Sequence, residues 1–324
     1  MTPLFHGGDL AGARARHPDA PEPWIDLSTG INPHPYPVPP LPAEAFTRLP
    51  GRDALDRLLK AATVRYGAPS PAHVVAAPGT QSLLPILARG IGPGIARVLS
   101  PTYAEHARAA GLAGHTVEEV PRLDDLAGAD LAVVVNPNNP DGRLHSASTL
   151  LDVARTVGLL IVDEAFLDTG GEAVDALVDT APIVVLRSFG KFYGLAGVRL
   201  GFAICAPDRA KPLRATLGPW AVSGMALEIG AVALEDSAWA EATRARLSAD
   251  AARLDDILHA AGLRVAGGTP LFRLAATPDA ARIHAHLAAR HGILTRPFPA
   301  HPDRLRFGLP SDEAAWMRLD AALR

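Results

Sequence analysis

Lysine is the scarce reagent in this sequence. Of its 31 basic residues only Lys60, Lys191 and Lys211 carry a primary side-chain amine; the rest are arginines. Schiff-base chemistry with a carbonyl compound needs such an amine, so it has three candidate positions. Lys60 and Lys211 lie in ordinary polar helical or loop surroundings. Lys191 lies in Ser188-Phe-Gly-Lys191-Phe-Tyr-Gly-Leu-Ala-Gly-Val-Arg199, a small-residue loop directly after a β-branched run. A lysine held there is poorly solvated and suited to nucleophilic attack. The competing reading is a surface lysine beside a loop, and the residues around Lys191 favour the functional one.

Asp163 ends the apolar run Leu-Leu-Ile-Val, so its carboxylate needs a cation or a ligand at the edge of a buried strand. A protonated pyridine nitrogen would satisfy it, a pairing that keeps a pyridoxal ring electron-withdrawing. Taken alone, an arginine partner or a helix cap explains Asp163 equally well. Gly79-Thr80-Gln81 at a helix start offers backbone N–H groups and a hydroxyl, the equipment of an anion site, although a Gly or Thr there is more often only a cap. Ser188 and Arg199 would complete a phosphate site, Arg199 through a two-pronged grip. Tyr103 could stack on a ring; a lone tyrosine is more often packing.

These residues fall where a parallel sheet would bring them together. Short β-branched runs alternate with stretches of helical period between about residues 72 and 205, as βαβ units do. Strands are expected over His73–Ala77, Arg97–Ser100, Leu131–Val135, Leu159–Asp163, Ile183–Arg187 and Val198–Cys205. Helices are expected over Gln81–Ala88, Ala104–Ala110 and Ser146–Val157, the last capped by Ser146. Each polar cluster follows a strand at its carboxyl end, where ligands of such sheets bind. The Met225–Ala261 stretch has the composition of one or two helices. Leu263–Leu274, Ala280–His291 and Leu305–Leu309 read as strand, helix, strand. The organisation expected is an α/β fold with a mostly parallel sheet flanked by helices over 46–215, a smaller α+β domain over 216–324, and an N-terminal arm over 1–45 packing with the small domain.

Composition removes other classes. The chain has 324 residues, 48% hydrophobic and 20% charged, with a net charge of −3, so nothing marks it for nucleic acid or an anionic membrane. One cysteine, Cys205, excludes an internal disulfide and a cysteine-based zinc cluster and fits a reducing cytoplasm. The N-terminus lacks a signal-peptide pattern, and no apolar run is long enough to span a bilayer. No Gly-x-Gly-x-x-Gly follows a strand, no Walker loop is present, and His284-x-His286 does not share one helix face for a metal. Reading Ser188-x-x-Lys191 as a serine hydrolase would require the Ser-x-Asn and Lys-Thr-Gly elements of that class, which are missing.

Taken together, Ser188-x-x-Lys191 with Arg199 eight residues on, the preceding Asp163, and Asn139-Pro-Asp-Gly142 resemble the fold-type-I pyridoxal-phosphate enzymes, the aspartate-aminotransferase-like superfamily, from about Trp24 to Leu309. The resemblance implies the PLP-dependent transferase-like fold, with pyridoxal 5'-phosphate held covalently by Lys191. It further implies Asp163 on the pyridine nitrogen and Asn139 on the ring hydroxyl. Gly79, Thr80, Gln81, Ser188 and Arg199 would hold the phosphate, Tyr103 would cover the ring, and Arg306 would grip a substrate α-carboxylate. His6-Gly7-Gly8-Asp9 followed by Asn32-Pro33 is similar to the threonine-phosphate decarboxylase branch, which serves cobalamin biosynthesis and is related to histidinol-phosphate aminotransferases. That branch implies His6, Gly7, Gly8, Asn32 and Arg296 around a substrate phosphate, and a homodimer. An aminotransferase acting on histidinol phosphate or another phosphorylated amino compound is the alternative. Phe166 departs from the family's usual tyrosine, Asp141 from its threonine, and Leu49-Pro50-Gly51 from a Tyr-Pro-Asp stretch that reaches the neighbouring subunit's cofactor.

Overall fold

The computed structural model describes residues 7–324. Their contacts form two units, residues 35–139 with 143–241, and residues up to 34 with 140–142 and 242–324.

The first unit is built on seven strands: β1 Val74–Ala77, β2 Ile95–Leu99, β3 Thr116–Val120, β4 Leu131–Val135, β5 Leu159–Asp163, β6 Ile183–Ser188 and β7 Gly201–Cys205. Their spatial order is β1-β7-β6-β5-β4-β2-β3. Strands β2 to β6 pair in parallel, and β7 runs antiparallel to both of its neighbours. β4 and β5 are buried at every position, as the uninterrupted apolar runs of central parallel strands require. Both begin and end where the sequence places them. β7 starts at Gly201 instead of Val198, because Ala196–Val198 wind into a 3-10 turn. β3 is an edge strand, largely exposed along Thr-Val-Glu-Glu-Val, and a strand without a buried face carries no apolar run for sequence reading to detect. Ser146 caps its helix as expected, its hydroxyl accepting from the Thr149 amide.

The expected domain boundaries need correction. The Met225–Ala261 stretch resolves into two helices, Gly224–Glu235 and Ser237–Ala260. The first packs against helix Arg52–Tyr66 so closely that a Cβ on Gly230 would lie 2.8 Å from Leu58 Cδ1 and 2.5 Å from Leu200 Cδ2. It therefore belongs to the sheet-bearing unit, and the division falls after residue 241 instead of 215.

The second unit has a four-stranded antiparallel sheet in the order Arg296–Pro297, Arg304–Gly308, Phe272–Ala276, Arg264–Thr269. The strand expected over Leu263–Leu274 is thus a hairpin. Helix Ala280–His291 falls as expected and ends at Gly292, whose φ of 60° suits a left-handed cap. The N-terminal arm joins this unit through Ile25–Asp26, which pairs in parallel with Ile293–Leu294, and it ends at His34 instead of residue 45. Among the described residues, no helix is long and apolar enough to cross a membrane.

Candidate active site

Ser188 closes β6, and the chain turns at once into the short helix Phe189–Phe192 that carries Lys191. Gly190 permits the turn: a Cβ there would lie 2.9 Å from the Ala196 Cα. Below it an aromatic stack fixes the helix. Phe189 and Tyr193 stack with centroids 4.5 Å apart, and Tyr193 stacks on Trp239 at 5.5 Å. Phe189, Phe192 and Tyr193 are fully buried, each contributing roughly 1.5–3 kcal/mol of burial energy. Lys191 stands above this anchor, its Nζ 5.8 Å from the Phe166 ring centroid.

Asp163, at the end of β5, is only 6% exposed. Its Oδ1 accepts from the Ala165 amide at 3.0 Å, and its Oδ2 lies 2.8 Å from His106 Nε2. His106 is a site residue that the sequence reading missed. The available signal was its spacing: three residues after Tyr103, it shares one face of the turn entering helix Glu105–Leu112. The two rings meet edge to face at 5.9 Å.

At the end expected to meet a phosphate, bare backbone faces a guanidinium. Gly79 has φ +82°, and a Cβ on it would lie 2.7 Å from Arg199 Nη2. Arg199 itself sits at φ 56°, a left-handed conformation that non-glycine residues hold only when their surroundings enforce it. Its Nη1 donates to the Ala196 carbonyl at 3.1 Å. Gly201 is equally constrained, since a Cβ there would meet the Thr80 nitrogen at 2.6 Å. The Gln81 side chain is engaged within the protein. It accepts from the Tyr103 hydroxyl at 3.1 Å and donates to Glu105 Oε2 at 3.2 Å, which leaves the expected backbone contact at the start of the turn as it was.

Gly79, Thr80, Gln81, Tyr103, Asn139, Asp163, Ser188, Lys191 and Arg199 all line one cavity of about 190 Å³, with Phe166. The donor set suits a small aromatic phosphate that carries a carbonyl and a basic ring nitrogen. A cation, hydroxyls and turn amides would meet the phosphate, a buried carboxylate the protonated nitrogen, and an amine the carbonyl.

The second unit holds the other expected contacts. Arg296 and Arg306 are direct cross-strand partners in antiparallel pairing. Like charges placed opposite each other on a sheet repel, and an anionic ligand relieves that repulsion. Burial, and then the charge of Arg296, push the Arg306 guanidinium down from its ordinary pKa. Arg306 lies over the Phe272 ring at 4.8 Å and donates through Nη2 to the Ser28 carbonyl at 2.8 Å. Ser28 also ties in the N-terminal segment: its hydroxyl accepts from the Gly8 amide at 2.7 Å, while its own amide donates to Asp26 Oδ1 at 2.8 Å. The Gly8 amide, expected near a substrate phosphate, thus bonds Ser28 in this structure. Gly7 approaches too closely for any side chain, a Cβ falling 2.3 Å from the Ser28 carbonyl oxygen. Asn32 is buried, and its Oδ1 accepts from the His34 amide at 2.9 Å. His6 lies outside the described residues.

The family model of aminotransferase class I and II matches residues 24–318. Threonine-phosphate decarboxylase of Pseudomonas aeruginosa is 45% identical, covering 99% of this chain and 97% of the relative. Threonine-phosphate decarboxylase of a Sinorhizobium species is 41% identical, covering 99% and 98%. Among solved structures, histidinol-phosphate aminotransferase from Sinorhizobium meliloti in complex with pyridoxal-5'-phosphate superposes with a TM-score of 0.85 at 21% identity, covering 100% of this chain and 96% of that one.

Proposed function

The chain belongs to the aminotransferase class I and II family, a family of pyridoxal-phosphate enzymes, and from that membership we propose that it decarboxylates L-threonine O-3-phosphate to (R)-1-aminopropan-2-yl phosphate for cobalamin biosynthesis. An observation that supports the choice of substrate is the opposed pair Arg296 and Arg306, two cations that suit a compound with two anionic groups. Threonine phosphate has both a carboxylate and a phosphate. Histidinol phosphate has no carboxylate, but an aminotransferase also binds a keto acid that has one, so the arginine pair fits both readings and the similarity to threonine-phosphate decarboxylases at 45% and 41% identity favours decarboxylation.

Bound pyridoxal phosphate supplies an electron sink for the pair released when a bond to the substrate α-carbon breaks. The protein supplies attachment, charge and orientation. Lys191 would hold the cofactor through its aldehyde carbon, and its amine is placed to carry a proton. Asp163, steadied by His106 and the Ala165 amide, keeps the ring nitrogen charged, and Asn139 meets the ring hydroxyl. Arg199, Ser188, Thr80 and the backbone at Gly79 and Gln81 hold the phosphate. Arg306 takes the substrate carboxylate. Arg296 takes the substrate phosphate, with Asn32, Gly7 and His6 in the same role. Holding both ends selects which α-carbon bond is aligned for cleavage, and such positioning replaces additional catalytic groups. In the net reaction carbon dioxide leaves and a proton takes its place on the α-carbon.

The enzyme in this reading is a cytoplasmic homodimer. A groove of about 630 Å³ lined by Leu55, Leu59, Trp220 and Val222, with Trp220 58%, Phe46 62% and Leu49 67% exposed, offers an apolar face for a second copy. The buried thiol of Cys205 suits a reducing compartment.

The doubly anionic substrate is tested by Arg296→Ala. Its kcat/KM for threonine phosphate is expected to fall by roughly 2 kcal/mol or more, about thirtyfold, while that for threonine stays within a few-fold, because only the phosphate contact is charge-assisted. Equal loss on both compounds would remove Arg296 from the phosphate site.

A further inference from the structure

The strands that carry Asp163 and Ser188 hold a second set of charges on their hidden face. Successive residues of a strand point to opposite sides of the sheet. Glu164, one residue beyond Asp163, and Arg187, one residue before Ser188, therefore face away from the cavity together. The Glu164 amide donates to the Leu186 carbonyl at 2.9 Å, carrying the β5–β6 ladder to this level. Glu164 is 1% exposed, Arg187 3% and Asp175 0%. Arg187 Nη2 lies 2.9 Å from Glu164 Oε2, and its Nε donates to both Asp175 oxygens at 3.2 Å. Nη2 also bonds Asp175, and the guanidinium lies over the Tyr66 ring at 4.9 Å. Glu164 Oε1 accepts from the Val174 amide at 3.2 Å, so the loop after β5 is gathered into the same knot.

A buried ionic set of this kind gains little over apolar residues of the same volume. What it supplies is direction, since a planar guanidinium fork fixes its partners in angle as well as distance. The fork and one of its partners each adjoin a residue assigned to the cofactor: Glu164 is next to Asp163, the carboxylate assigned to the ring nitrogen, and Arg187 is next to the turn that bears Ser188 and Lys191. A slide of β5 against β6 would change the span between those two attachment points.

We propose that Arg187, gripped by Asp175 and Glu164, is a positioning residue for pyridoxal phosphate, fixing the end of β5 against the end of β6 and hence Asp163 against the Ser188–Lys191 turn. The inference rests on the cofactor and is independent of which substrate is turned over.

Arg187→Lys keeps the charge and removes the fork. In this variant the dissociation constant for pyridoxal phosphate, measured by equilibrium dialysis without substrate, is expected to rise about tenfold or more. The pH midpoint of the bound cofactor's visible absorption is expected to move as well, with the urea unfolding midpoint of the cofactor-free protein near wild type. Cofactor affinity within twofold of wild type and an unmoved pH midpoint would overturn the proposal. Should R187K not fold, the triple variant E164L/D175L/R187M, which leaves no buried charge behind, decides the matter by the same two readings. Failure of both variants to fold would assign the set to folding alone and would also overturn the proposal.

Discussion

Lys191→Ala is expected to lower turnover of threonine phosphate by about 10³-fold or more, because it removes the covalent attachment and a proton carrier together, and a positioned acid–base group alone is worth about 10²–10⁴-fold. The other two lysines cannot stand in. Lys60 and Lys211 are exposed, on helices Arg52–Tyr66 and Pro207–Leu217, and neither lines the cavity. Replacing both of them should leave turnover within about twofold, as surface substitutions do. Borohydride treatment of the loaded wild-type enzyme, followed by peptide mapping, checks the same point chemically: the cofactor should be fixed to the peptide bearing Lys191. Attachment to another peptide, or full activity in the alanine variant, would remove Lys191 from the mechanism.

The second large effect is at Arg306. Arg306→Met should cost about 2–5 kcal/mol in kcat/KM, roughly thirtyfold to several thousandfold, since one member of a buried charge pair with the substrate is lost. The same change should not lower stability in proportion. Burial and Arg296 push the native guanidinium's pKa down, so at neutral pH the charged form is disfavoured by folding, and that penalty disappears with the charge. A melting temperature near or above that of the wild type, together with collapsed kcat/KM, is the expected pair of results. A large fall in melting temperature with unchanged substrate preference would make Arg306 a structural residue instead. Such a separation of stability from activity marks a group held in place for its ligand.

The candidate site was largely legible in the sequence because its parts sit at strand ends and line one cavity. Asp163 closes a run whose five residues are all buried, and Lys191 follows the next strand after a single turn, so period and polarity change at the functional residue itself. All nine residues expected on the cofactor line one cavity for that reason. His106 escaped because its partner Asp163 is 57 residues away, and its spacing from Tyr103, the one local signal, is equally that of a histidine that only packs. The Ser28 hydroxyl that accepts from the Gly8 amide was not foreseen for a similar reason: it lies 20 residues on. The edge strand Thr116–Val120 and the division after residue 241 depend on which faces meet which neighbours. Composition does not reveal such pairings, and helix Gly224–Glu235 shows this best, since its attachment is decided by how closely Gly230 approaches Leu58 and Leu200.

The measurement that bears most directly on the proposed function is product partition. Purified enzyme loaded with pyridoxal phosphate is given threonine phosphate with and without a keto-acid acceptor, and carbon dioxide, aminopropanol phosphate and transferred amino groups are quantified together. The expected result is carbon dioxide and aminopropanol phosphate in equal amounts, at a rate indifferent to the keto acid. Amino transfer that depends on the keto acid, without release of gas, would contradict decarboxylation and make the enzyme an aminotransferase.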